Sequence, residues 1–140
     1  NHALDLEGCS IADLGSNHHT IDRGGLGLSI AAGGRLVLGI NANSTQNGGI
    51  PVAYKYANFS LTNGADAILL RDGAGMLVDQ VSYDDGIFWP DTAGRSISLD
   101  PTAFGPLSND HGGNWCAADT FIGGGNTERG TPGLLNATCP

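Results

Sequence analysis

Apolar residues in this chain come in short bursts separated by glycine-rich breaks. No window of a dozen residues repeats them at the three- and four-residue spacing of a helix, and Gly or Pro interrupts almost every helical candidate. Strand patterns recur instead. Leu36-Val37-Leu38-Gly39-Ile40 is apolar on both faces, as expected of a central strand, and Ala67-Ile68-Leu69-Leu70 is a second run of that kind. The turn residues Asp72-Gly73-Ala74-Gly75 follow, and an extended pattern resumes from Met76 to Tyr83, which predicts a β-hairpin. Ser96-Ile97-Ser98-Leu99 alternates polar and apolar, so one face is buried. Leu4-Asp5-Leu6, Ser10-Ile11-Ala12 and Asn114-Trp115-Cys116-Ala117 complete the set, with loops at 41–50 and 105–114. About seven or more short strands in a chain without internal repeat or linker predict one all-β domain over residues 1–140, an immunoglobulin-like β-sandwich.

Composition sharpens this picture. The 140 residues suffice for a real core, and 40% hydrophobic against 14% charged is a globular balance. Gly accounts for 23 residues without a three-residue period, which excludes collagen and fits many tight turns. The formal charge of −8, with Lys55 the single lysine and five dispersed arginines, argues against a nucleic-acid partner and leaves room for a cation. No stretch approaches the roughly 20 apolar residues of a membrane helix, so no membrane insertion is expected. No signal peptide is read at the Asn1 end.

Cys9, Cys116 and Cys139 include no C-x-x-C pair, which argues against zinc. A Cys116–Cys139 disulfide would staple the C-terminal tail to the body and implies an oxidising, extracellular setting. Cys9 then reads as a small core residue, with a reactive thiol as the alternative.

The order of motifs resembles the lamin-tail domain of bacterial secreted and surface proteins. The resemblance runs along nearly the whole chain: Leu4 to Asp13, Ala32-Gly33-Gly34-Arg35-Leu36-Val37-Leu38, Phe59 to Leu70, Gly75 to Tyr83, Trp89-Pro90, Gly94-Arg95-Ser96-Ile97, and Thr131-Pro132-Gly133 with Asn136. It implies an immunoglobulin-like sandwich serving as an accessory or interaction module, without catalytic residues. The chain departs from the family in two places. Cys9 stands where the family has an aromatic, and of the family's first strand only Asn1 could remain. An absent strand would leave backbone groups unpaired, so another chain, a strand-exchanged second copy or an upstream segment is expected to supply it by β-augmentation. The competing reading is an open edge or a rearranged first strand.

Candidate chemistry is thin. Asp66, Asp72, Asp79, Asp84 and Asp85 lie at or near predicted turns, where carboxylates could bind Ca²⁺ or simply cap the local backbone; their spacing is not that of an EF-hand. His18 and His19 would point to opposite strand faces and read as surface residues. No G-x-S-x-G elbow supports a small hydrolase, and the Gly-rich runs at 24–27 and 123–125 lack the spacing of phosphate loops. Trp89, Tyr54 and Tyr56 are candidate carbohydrate contacts unless they fill the core. Asn43, Asn58 and Asn136 lie in N-x-S/T sequons, meaningful only in a eukaryotic secretory path. The reading is a non-catalytic interaction or tethering module whose partner is a protein or a neighbouring domain of the same parent. A carbohydrate- or calcium-binding module is the alternative, and a small hydrolase comes third.

Overall fold

A computed structural model describes residues 2–140. Twelve short strands follow one another: β1 (Leu4–Asp5), β2 (Ser10–Ala12), β3 (His18–Thr20), β4 (Ser29–Ile30), β5 (Leu38–Gly39), β6 (Tyr54–Lys55), β7 (Asp66–Arg71), β8 (Leu77–Tyr83), β9 (Ile97–Leu99), β10 (Trp115–Ala117), β11 (Phe121–Gly123) and β12 (Asn126–Arg129). Among the described residues the only helical segment is a single 3-10 turn at Gly112–Asn114. The fold is all-β, as the period-two patterning predicts, and its several antiparallel sheets are consistent with a β-sandwich. No helix is long and apolar enough to cross a membrane among the described residues.

The largest sheet has the order β3-β2-β7-β8, antiparallel throughout. Its centre is the hairpin β7–β8, and its turn shows why the sequence folds back there. Asp72 Oδ1 accepts the N–H groups of Ala74 and Met76, while Gly75 supplies a φ of 82° that a side chain would strain. Along β7, Ala67 and Leu69 point to one face and are buried, whereas Ile68 on the other is 38% exposed. Ile11, Ile21, Leu28 and Phe59 extend the core.

Four small pairings accompany this sheet: β1 with β4, β9 with β10, β11 with β12, and the parallel pair β5 with β6. Cys116 on β10 is bonded to Cys139, with the Cα atoms 5.6 Å apart, so the tail is stapled as the sequence predicts. Asn136 Nδ2 donates to Leu99 O at 2.9 Å and Cys139 N to Asp100 Oδ2 at 2.9 Å, which hold the same tail against β9.

Two expectations need correcting. The apolar run Leu36–Ile40 contributes only the two-residue strand β5, and Ile40 is 60% exposed. Its partner β6 is equally short. Gly39 offers no side chain there, because a Cβ would lie 3.0 Å from Val52 Cγ2. In β9 the alternation is also inverted: Ser98 is the buried residue, while Ile97 and Leu99 are half-buried. The Ser98 carbonyl lies 3.8 Å from both sulfurs of the disulfide, which covers that face. The position of the resembled family's first strand falls on Asn1, outside the described residues.

Candidate interaction surface

Strand β8 forms one end of the four-stranded sheet, so one side of its backbone pairs with β7 and the other has no strand beside it. It is seven residues long, about 23 Å of extended chain. Leu77 and Val78 at its start are 50% and 54% exposed. The register with β7 shifts between Leu70 and Arg71, which face Asp79 and Leu77, so Val78 is an extra residue in a β-bulge.

A groove of about 480 Å³ runs along this strand, lined by Leu77, Val78, Asp79, Gln80 and Ser82 and walled opposite by Pro106 and Asp110. The wall is held by hydrogen bonds. Asn109 Nδ2 donates to Asp79 Oδ2 at 2.7 Å, Trp115 Nε1 to Asn109 O at 2.8 Å, and Asn114 Nδ2 to Ser108 O at 2.7 Å. Asn109 is itself buried, and its Oδ1 has no partner. Behind the wall the 3-10 turn presses on residues 88–89 so closely that a Cβ on Gly112 would clash with Phe88 O. Asp84 fixes that second segment by accepting the N–H groups of Ile87, Phe88 and Trp89 at 2.9–3.1 Å. As a result Trp89 turns inward onto Trp115, with ring centroids 5.2 Å apart, and Phe88 is left 79% exposed.

A second, wider cleft of about 660 Å³ lies over Ile68 and Tyr83 and is bordered by Arg95, Glu128 and Arg129. Both guanidinium groups are already engaged there. Arg95 pairs with the Asp119 carboxylate, and Arg129 donates to Asp119 O at 2.6 Å while lying 4.1 Å over the Phe121 ring. Burial, and then the Asp66 carboxylate, push the Tyr83 hydroxyl above its ordinary value, and that hydroxyl donates to Thr62 O at 2.7 Å.

Comparison with family models, curated proteins and solved structures returns no match.

The structure disperses the acidic candidates. Asp66 accepts from the N–H groups of Thr62 and Ala67, Asp72 caps its hairpin, Asp79 accepts from Gln80 N and Asn109, Asp84 holds the 87–89 segment, and Asp85 is exposed. Among the described residues, no three His, Cys, Asp or Glu side chains come together in a way that could hold a metal ion. Trp89 is 7% exposed and offers no stacking face, which corrects its place among the ligand contacts. Tyr54 and Tyr56 are half-buried on one side of β6, and both rings lie near His19, at 5.6 and 6.2 Å between centroids. His19 is therefore no free surface residue: it pairs with Tyr54 and Ala57, whereas His18 is exposed. The Cys9 thiol is half-buried. Burial, followed by the Asp72 carboxylate, pushes its pKa up, so it stays a protonated, weak nucleophile.

Asn109, Asp110 and Pro106 were missed as site residues from the sequence. Asn-Asp is a generic turn dipeptide, and its partner Asp79 lies 30 residues away, so no local spacing announces the wall.

Proposed function

We propose that this chain is a non-catalytic interaction and tethering module of a secreted or cell-surface protein, an immunoglobulin-like sandwich of the lamin-tail type, and that it engages its partner along β8. The unpaired outer edge of β8, set in a groove whose far wall is hydrogen-bonded in place, carries this reading. The size of the surface supports it. The accessible area is 8486 Å², whereas a folded monomer of this mass exposes about 6,800 Å² by the usual scaling, an excess of about 1,700 Å². A standard interface removes about 800 Å² from each partner, so the excess is ample. On β8 itself the apolar side chains Leu77 and Val78 are 50% and 54% open. The order of lamin-tail-like motifs supports the family reading, and the Cys116–Cys139 bond favours an oxidising compartment.

Hydrogen exchange of the domain inside its native parent protein, compared with the isolated domain, tests the interaction reading. Protection of residues 77–83 in the parent is expected; equal exchange along β8 and across the rest of the surface would end it. Thiol titration of natively purified protein, unfolded in denaturant without reductant, should find one free thiol, Cys9, and three would remove the secreted setting.

A further inference from the structure

The partner's chemistry is written in the walls of the β8 groove. We propose that the edge receives an extended segment of another protein that adds as a strand and carries lysine or arginine opposite Asp79 and Asp110. This rests on the interaction-module reading above and adds to it the chemical class of the guest.

Strand addition pairs with the backbone on the side of β8 that no strand occupies, which gives affinity without regard to sequence; Gln80 N–H is already held by Asp79 Oδ1. Specificity must then come from the walls. Their only charged residues are Asp79 and Asp110, both acidic. Asn109 lies behind them, adjacent to Asp110 in the chain and bonded to Asp79, and braces the wall without lining it. The charge the groove presents is thus wholly acidic. A guest ammonium or guanidinium pairs with these carboxylates, which compensate its charge. At the other end Leu77 and Val78 offer an apolar surface, so the guest is amphipathic along its length, with an apolar residue there and a basic one further on.

Charge also decides against a second copy of this chain. Pairing β8 with another β8 would bring the acidic walls of two chains together, each of formal charge −8. The dispersed arginines put no cation into the groove itself.

The test uses the folded domain and two nine-residue synthetic peptides, one alternating valine with lysine and one alternating valine with glutamate. The readouts are affinity and hydrogen-exchange protection over residues 77–83. The lysine peptide is expected to protect β8, to weaken as salt is added, and to bind about tenfold more tightly than the glutamate peptide. Asp110→Asn, at an exposed position, should narrow that ratio several-fold, and Asp79→Asn should do the same. Equal affinity of the two peptides at β8 would overturn the charge assignment while leaving the interaction reading intact. Protection of β8 in the parent but by neither peptide would overturn strand addition. A concentration-dependent dimer that protects β8 without any peptide would assign the edge to a second copy.

Discussion

The two edges of the four-stranded sheet are built from the same kind of backbone and have opposite fates. Strand β3 is three residues long, with His18 and Thr20 exposed, and the side chains of Asn17 and His19 tie it to residues 54–60. Ala57 N donates to His19 Nδ1 at 3.3 Å, which leaves Nε2 to carry the proton towards the Tyr54 hydroxyl at 2.9 Å. That hydroxyl also accepts from Asp22 N, and Asn17 Nδ2 donates to Ser60 O. Strand β8 is more than twice as long, and what faces it across the groove is a loop rather than a covering segment. Both edges are thus flanked by a segment bonded to a strand side chain, Tyr54 on His19 and Asn109 on Asp79. What differs is length, three residues against seven, and the groove left open along β8. A long open edge invites unwanted pairing, and β8 carries two mild deterrents, the bulge at Val78 and the charge of Asp79. These restrict what can pair without preventing it.

Four experiments would break or sharpen this contrast, taken from the largest effect downward. Replacing Cys116 and Cys139 together by serine removes a cross-link spanning 23 residues and should cost about 3.5 kcal/mol in urea unfolding on the chain-entropy model. Because the bond lies beyond the sheet, the difference in exchange rate between β3 and β8 should survive, and its collapse would mean the tail holds the edges apart. Gly112→Ala drives a methyl against Phe88 O and should cost about 2 kcal/mol by overpacking. It should also loosen residues 105–114 and leave β3 untouched; a neutral effect would show that the wall is soft. Tyr54→Phe removes the shared hydroxyl and should cost about 1 kcal/mol. Amide exchange in β3 should then rise towards that of β8, and unchanged exchange would mean that the tyrosine merely sits beside the edge.

Acid titration gives the smallest effect. Hydrogen bonds from the Thr102 hydroxyl, the Thr102 N–H and the Cys139 N–H hold the Asp100 carboxyl below its ordinary value. Its folded pKa is depressed, so its stabilisation is complete above the unfolded value of about 3.9 and is lost as pH falls through the lower folded value. Melting temperatures of Asp100→Asn should therefore vary less between about pH 4 and 2 than those of the parent chain. Identical slopes would mean that the anchor does not act through charge.

Much of the frame was legible in the residues. Alternation, glycine spacing and the Asp72–Gly75 turn locate the β7–β8 hairpin, and the late Trp115-Cys116 with penultimate Cys139 marks the staple. Errors arise where distant contacts override local pattern. Ile40 lies exposed where the pairing of β5 with β6 has already ended at Gly39, and Ser98 is buried beside its cross-strand partner Cys116, whose disulfide rather than a hydrophobic layer covers it. The candidate site was the least legible. Asp79 was visible as a turn carboxylate, but its bond to Asn109 joins segments 30 residues apart, and side-chain pairings of that range leave no periodic trace. Trp89 was ambiguous for the same reason: three backbone bonds to Asp84 and one ring, Trp115, decide which way it faces.

The extra residue at Val78 has a geometric consequence for anything laid along this strand. On a regular edge a visitor can slide by two positions and find the same pattern of faces. Here Leu77 faces Arg71 and Asp79 faces Leu70, so two residues that ought to share a side point in opposite directions. The kink acts like a notch on a ruler: one alignment seats it, and every shifted alignment meets the wrong phase.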